Sequence, residues 1–327
     1  MSQMMKAVVM HEAGGPQVLK IEQRPVPTPQ PGQVLIRVEA FGLNRSELFT
    51  RQGHSPGVEF PRVLGIEAVG TVADAPGGEF QPGQAVATVM GGMGRKFDGG
   101  YAEYTLVPAG QVQAFSADLP WATLGALPEM LQTAWGALFR ALRLARGERL
   151  LIRGGTTSVG LAAAAIAKAH GADVGATSRS LGGEALIRSA GADRFFLDDG
   201  AIAEAVRRQW DGGVDKVLEL VGTTTLEDSL HCAREPGIVC MAGMVGDRWS
   251  LADFAPMDVI PSAVSLTTYS GGVSDFMATP LQHLIDRVSA GALAIPPGRV
   301  FHIDDIVEAH RTMETNTAGG KIVVLTR

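Results

Sequence analysis

Leu150-Leu-Ile-Arg153 runs directly into Gly154-Gly-Thr-Thr-Ser-Val-Gly160, and an alanine-rich segment follows as far as Gly171. A short apolar strand, a turn of small residues and a helix, in that order, make a unit in which backbone amides and a helix N-terminus can receive a pyrophosphate. Glycine and small hydroxyl residues suit such a turn because they let the ligand approach the backbone. Gly154, Gly155, Thr156, Thr157, Ser158, Val159 and Gly160 are therefore candidate cofactor contacts. The plainer reading of the same residues is a tight turn with an N-cap at Thr157 or Ser158. The Gly-Lys-Ser/Thr ending of a P-loop is missing, which favours a dinucleotide over ATP or GTP.

Downstream, short apolar strands alternate with helical segments as far as about residue 290. Strands are predicted at 149–153, 173–177, 194–197, 215–221, 238–242 and 264–268. Alternation of this kind implies parallel pairing, because right-handed crossovers need helices to cover both sheet faces. The fold class is thus α/β, with a doubly wound parallel sheet of the Rossmann kind. At the end of its second strand the text reads Thr177-Ser-Arg-Ser180. An acid there would bind a ribose 2′-hydroxyl, whereas Arg179 offers a guanidinium to a 2′-phosphate, which favours NADPH over NADH. Val221, Gly222 and Gly243 stand at later strand ends and are expected to face the nicotinamide end, with Ser270 near a pocket floor.

Upstream, Lys6-Ala-Val-Val-Met10 and Gln33-Val-Leu-Ile-Arg-Val-Glu39 alternate as half-buried strands, with Pro25, Pro27, Pro29 and Pro31 between them. Further strands fit 65–73 and 84–90, the glycine-rich 91–100 reads as a surface loop, and 125–144 is compatible with one helix. After Gly291, strands at 299–303 and 321–325 flank a helix at 306–315. The predicted division is a β-rich substrate domain at 1–122, a dinucleotide-binding domain at 123–290, and a segment at 291–327 that returns to the first domain.

Among the 327 residues, 46% are hydrophobic and 19% charged, enough apolar material for a core in each domain. The net charge of −6, without a run of Lys or Arg, leaves no footprint for nucleic acid or an anionic membrane surface. The longest apolar run, Val159 to Ala167, is far short of the ~20 residues that span a bilayer, and Met1 to Glu12 lack a signal-peptide pattern. A cytoplasmic protein is expected. Cys232 and Cys240 read as small core residues, and the seven histidines form no His-x-x-x-His cluster.

Met5-Lys-Ala-Val-Val, Arg24-Pro-Val-Pro-Thr-Pro-Gln-Pro-Gly32, Phe41-Gly-Leu-Asn44, Leu64-Gly-Ile-Glu67, Gly99-Gly-Tyr-Ala-Glu-Tyr104 and Gly319-Gly-Lys-Ile-Val-Val-Leu325 form an ordered series along the whole chain. Together they resemble the medium-chain dehydrogenase/reductase superfamily, and within it the zinc-independent quinone oxidoreductase branch typified by zeta-crystallin. The resemblance implies a GroES-like β-rich domain beside the Rossmann domain and a homodimer paired through Rossmann sheet edges. Zinc relatives carry Cys in the segment matching Gly42 to Glu47 and His immediately before the Glu of Leu64-Gly-Ile-Glu67. Here those positions hold Asn44 and Ile66, and a cysteine-rich structural lobe is missing, so no zinc is expected. By the same resemblance Asn44 and Thr133 contact the nicotinamide end of the cofactor or the substrate, and His54 falls near a pocket position often held by Tyr. The loop departs from the family at Thr157, where a central glycine is usual. Gly183 and Asp199 stand where Lys and Tyr often hold the 2′-phosphate.

Without a Lewis acid the acceptor must already be electrophilic, which a quinone or activated enone is. The expected reaction is hydride transfer from NADPH to such an acceptor, with Asn44 donating to the developing oxyanion. The alternatives are a non-catalytic NADPH-binding sensor or structural protein, and a reductase or dehydrogenase, metal-dependent or not, of another small carbonyl or alcohol.

Overall fold

The computed structural model describes residues 3–327. Its elements run in chain order through the strands Met4–Met10 (β1), Leu19–Pro25 (β2), Gln33–Gly42 (β3), Arg62–Val63 (β4), Glu67–Asp74 (β5), Ala85–Val89 (β6), Tyr104–Pro108 (β7) and Val112–Ala114 (β8). The next strands are Arg149–Arg153 (β9), Asp173–Ser178 (β10), Arg194–Leu197 (β11), Val214–Glu219 (β12), Ala233–Met241 (β13) and Val264–Thr268 (β14), followed by Pro297–His302 (β15) and Lys321–Leu325 (β16).

Two compact units result. The first comprises Met1–Glu129, Gly271–Ser289 and Pro297–Arg327, and the second Met130–Ser270 with Ala290–Pro296. These limits differ from the sequence-based boundaries at 122 and 290. Residues 271–289 follow the strand–helix alternation in sequence but are tied to the β-rich unit. Gln113 Nε2 donates to Thr279 O (3.2 Å), Ser116 N donates to Gln282 Oε1 (2.8 Å), and Gln282 Nε2 donates to Ser116 O (2.9 Å). A strand–helix pattern says which elements form but not which face of which sheet a helix covers.

The first unit has the sheet order β15-β16-β3-β5-β6-β8, with β7 also on β3, and a smaller sheet of order β2-β1-β4. Strand β3 runs past the predicted Glu39 because Ala40, Phe41 and Gly42 find partners far along the chain, in Leu325, Val324 and Val323 of β16. The predicted surface loop 91–100 is partly interior: Met93 is buried, and Gly99 and Gly100 donate to Val63 O and Gly65 O. The core gathers Val8, Met10, Phe41, Leu64, Tyr101, Ile306 and Val324.

In the second unit all six strands are parallel, in the order β11-β10-β9-β12-β13-β14. Numbered from β9, that is 3-2-1-4-5-6, so the order reverses between β9 and β12, and ligands of doubly wound sheets bind at the carboxyl ends beside such a reversal. The single helix expected over 125–144 divides into an α-helix, Leu127–Trp135, and a π-helical turn, Gly136–Ala141. A Cβ at position 136 would overlap the Tyr269 hydroxyl, so the irregular turn and its glycine leave room for that ring. Strand β12 stops at Glu219, short of Val221, because the Glu219 side chain takes up the next amides itself.

Leu151 of β9 is fully buried among Val217, Leu230 and Val239. Leu151→Ala should cost about 2–5 kcal/mol, read as a lowered urea midpoint for the second unit.

Candidate active site

The glycine loop sits at the reversal point. Gly154 takes φ 86°, which admits glycine readily, and its N–H donates to Thr177 Oγ1 (3.0 Å). Gly155 N donates to Thr177 O (3.0 Å), and a Cβ at Gly155 would come within 2.7 Å of the Ala176 Cβ. At Gly160 a Cβ would meet Gly154 O at 2.6 Å. Thr157 is the N-cap of the helix Ser158–His170: its hydroxyl accepts from Gly160 N (3.0 Å) and donates to Gly154 O (2.8 Å). Thr157 therefore performs the capping role, with the half-buried Thr156 in the turn before it and the half-buried Ser158 and Val159 opening the helix. Gly222 (φ 105°) and Gly243 pack together at the ends of β12 and β13, and Leu220 and Val221 border Gly154. Three glycine turns thus share one end of the sheet, leaving a surface made mostly of backbone.

Two buried charged residues hold these turns, and neither is among the residues singled out from sequence. Arg153 closes β9 with no exposed surface. Its guanidinium grips Asp198 through two hydrogen bonds (2.9 and 2.7 Å) and reaches Asp228 (2.6 Å) and Ser229 (3.2 Å). Burial works against both charges of the Arg153–Asp198 pair, yet their mutual bonds keep Asp198 below the usual carboxylate range and Arg153 above its ordinary value. Glu219 is buried at the end of β12 and accepts from Val221 N (2.6 Å), Gly222 N (2.9 Å) and Thr225 Oγ1 (3.0 Å). Burial raises its pKa, opposed by hydrogen bonds from Ser229, Gly222 and Thr225 and by Arg153. The sequence signal was an Arg directly after Leu150-Leu-Ile152 and a Glu directly after Val217-Leu218, each at a strand end.

At the tip of β10, Thr177 donates to Asp198 Oδ2 (3.1 Å) and so links the glycine loop to the Arg153 cluster. Ser178 Oγ and Ser180 Oγ accept from Ser180 N and Gly182 N, shaping the turn. Arg179 is exposed and makes no ion pair with any described residue.

In the first unit, Asn44 is the N-cap of the helix Arg45–Arg51, with Glu47 closing a capping box. Its amide oxygen accepts from Lys321 Nζ (2.5 Å), and its Nδ2 donates to Glu67 Oε1 (2.9 Å) and, more weakly, to Glu47 Oε1 (3.4 Å). Lys321 also pairs with Glu67 (2.7 Å) and lies 3.8 Å from Glu129, and the side chains of Lys321 and Glu67 are 2% and 1% exposed. Burial disfavours the ammonium, but Glu67 and Glu129 outweigh it and raise its pKa. A Cβ at Gly42 would overlap Lys321 Cε and Glu67 Oε1, so glycine is what admits the pair. The Asn44 amide is thus held in a network, with one N–H directed at Glu67 and the other only weakly engaged by Glu47. Lys321, Glu47, Glu67 and Glu129 were not picked as site residues, although Glu67 and Lys321 lie in motifs quoted for the resemblance.

The remaining candidates are dispersed. Thr133, in the second unit, is half-buried on the helix Leu127–Trp135, next to Gln132, which donates to Tyr269 OH (3.1 Å). Ser270 is exposed just beyond β14. His54 is exposed after the helix Arg45–Arg51, its ring 6.3 Å from that of Phe49, and it takes no part in the Asn44 network. Both cysteines are buried and unbridged, and burial pushes the Cys240 thiol up to about 12. Among the described residues no group of three or more His, Cys, Asp or Glu is arranged to hold a metal ion, and no helix is long and apolar enough to cross a membrane.

Comparison with known proteins agrees with this architecture. Residues 30–117 match the alcohol dehydrogenase GroES-like domain, and residues 190–324 match the zinc-binding dehydrogenase model. A quinone oxidoreductase of Rattus norvegicus is 32% identical over 335 residues, covering 98% of each chain. The chain belongs to the quinone oxidoreductase branch of the medium-chain dehydrogenase/reductase superfamily. It is an oxidoreductase of that branch, with the Rossmann and GroES-like domains expected from its sequence. Among solved structures, a mycobacterial protein complexed with NADPH superposes with a TM-score of 0.86 at 26% identity, covering 98% of this chain and 99% of the other. An NAD-dependent alcohol dehydrogenase superposes at 0.89 with 27% identity, covering 99% and 100%.

Burial raises the Glu47 carboxyl from 4.5 to about 7, although the Ile66 amide and Lys321 pull the other way. The folded protein therefore holds a proton there that the unfolded chain releases, and stability falls as pH rises from about 4.5 to about 7. Relative to the unsubstituted protein, Glu47→Gln should gain up to roughly 3 kcal/mol across that window. Urea titrations of both proteins at pH 5 and pH 8 measure it, and a constant difference would show that Glu47 does not titrate there.

Proposed function

We propose that this chain is an NADPH-dependent, metal-independent reductase that transfers hydride to a quinone or an activated enone. The observation that carries the reading is the backbone-lined cradle at the β9/β12 reversal together with the exposed Arg179 at the tip of β10. The glycines fit a dinucleotide turn: a Cβ at Gly155 would crowd the Ala176 Cβ and one at Gly160 would meet Gly154 O, so glycine permits the close strand–turn–helix packing whose helix amides can receive a pyrophosphate. The nearest buried acid, Asp198, is occupied by Arg153 and Thr177, which leaves the tip of β10 to a guanidinium suited to a 2′-phosphate. The mycobacterial NADPH complex supports the same choice.

When bound, the cofactor supplies the hydride. In this reading the amides opening the helix Ser158–His170 hold the pyrophosphate, Arg179 and Ser180 hold the 2′-phosphate, and Thr133, Val221, Gly222 and Gly243 orient the nicotinamide end. Asn44 faces the acceptor as part of a fixed polar patch. One hydride and one proton, the latter from solvent, convert a quinone to its hydroquinone. A metal fits poorly beside Asn44: positions 44 and 66 hold an amide and an aliphatic chain, and the neighbouring Glu67 carboxylate is already taken by Lys321. The curated relatives named quinone oxidoreductase support the acceptor class. The reading extends to a cytoplasmic homodimer paired through a Rossmann sheet edge.

The test is loss of NADPH absorbance with chelator-treated protein and a panel of quinones, enones, aldehydes and simple ketones, repeated with NADH. Turnover of quinones or enones with NADPH preferred is expected. NADPH binding with silence across the panel would turn the reading to a sensor, and silence without binding would overturn the cradle. Arg179→Ala should raise KM for NADPH about 10- to 100-fold and leave KM for NADH within about twofold, as loss of a charge-assisted contact requires.

A further inference from the structure

We propose that Lys321 is a positioning residue for the reductase reaction, fixing the Asn44 amide in the single orientation that meets the acceptor. The inference rests on the reading above, in which Asn44 faces the acceptor. An unconstrained asparagine amide can exchange its oxygen and nitrogen by a half-turn. Here the half-turn is blocked from both sides. Lys321 Nζ donates to the amide oxygen at 2.5 Å, and Glu67 Oε1 accepts from the amide nitrogen at 2.9 Å. The reversed amide would set N–H against an ammonium and C=O against a carboxylate. The chain places the cation with care: β16 pairs with β3 in the register Val323↔Gly42, and Leu43 N donates to Ile322 O (3.0 Å). Lys321 thereby lies opposite the segment that ends in Asn44. Glu67 is in turn fixed by Glu129 N (2.9 Å) on its other oxygen, and Glu47 by Ile66 N (3.0 Å).

A buried cation between carboxylates is costly and is a weak source of stability by itself. Its directional effect on one amide, half-buried and so able to meet a ligand, is what sets it apart from a mere structural pair. The charge also polarises Asn44, strengthening the dipole that the acceptor meets.

The experiment compares the unsubstituted protein with Lys321→Met, Lys321→Arg, Asn44→Ala and Lys321→Met/Asn44→Ala. It measures steady-state kinetics with a quinone that the unsubstituted protein reduces, NADPH affinity by fluorescence quenching, and thermal melting. Lys321→Met is expected to lower kcat/KM for the quinone roughly tenfold or more while NADPH affinity stays within about twofold, with Lys321→Arg recovering part of the loss. Adding Lys321→Met to Asn44→Ala should cost less than about twofold, because the amide it orients is gone. If Lys321→Met does not fold, Lys321→Met/Glu67→Gln removes both charges, and adding Asn44→Ala to it should likewise cost less than about twofold. Full activity in either Lys321→Met protein, or losses that multiply with Asn44→Ala, would overturn the inference while the reductase reading stands. No quinone turnover by the unsubstituted protein would overturn both.

Discussion

A charge taken out of water must find opposite charge and hydrogen bonds or it unfolds its surroundings. Both units of this protein are organised around one such cation at a strand end. In the second unit Arg153 ends β9, and Asp198, Asp228 and Ser229 must stand where they do to receive its donors. The ends of β11 and of the helix Leu226–Cys232 are thereby fixed, and through Thr177 so is the glycine loop. In the first unit Lys321 begins β16, and Glu67 and Asn44 answer it. The turns that carry the chemistry are thus anchored from beneath by groups that never reach solvent.

This arrangement explains why the fold was easier to read than the site. Alternating apolar segments and a glycine turn are local, and the strand predictions at 149–153, 194–197, 264–268 and 321–325 coincide with β9, β11, β14 and β16. Elements defined by distant partners were less legible. Nothing near Phe41 announces that β3 continues to Gly42, because its last partners lie in β16. The break at Gly136 likewise depends on Tyr269, more than a hundred residues on.

The site residues divide in the same way. Gly154, Gly155 and Gly160 reveal themselves through spacing, since a backbone approach demands glycine whatever surrounds it. Arg153, Glu219 and Lys321 do not, because a single charged residue at a strand end looks like a solvated one until its partners are known. Asn44 was legible as a position but not as a contact: its oxygen and its stronger donor bond are directed at Lys321 and Glu67, up to 277 positions away. Thr157 shows the converse, an expected cofactor residue whose hydroxyl serves the helix it caps.

The buried ammonium of Lys321 also bears on redesign. A thiolate grafted onto position 44 would stand beside a fixed positive charge whose Cε lies in the space left by the missing side chain of Gly42. Replacing Asn44 would take from the Lys321 ammonium one of its oxygen partners and leave Glu67 and Glu129 to balance it alone, so a change at position 44 is also a change in the surroundings of a buried charge 277 positions away.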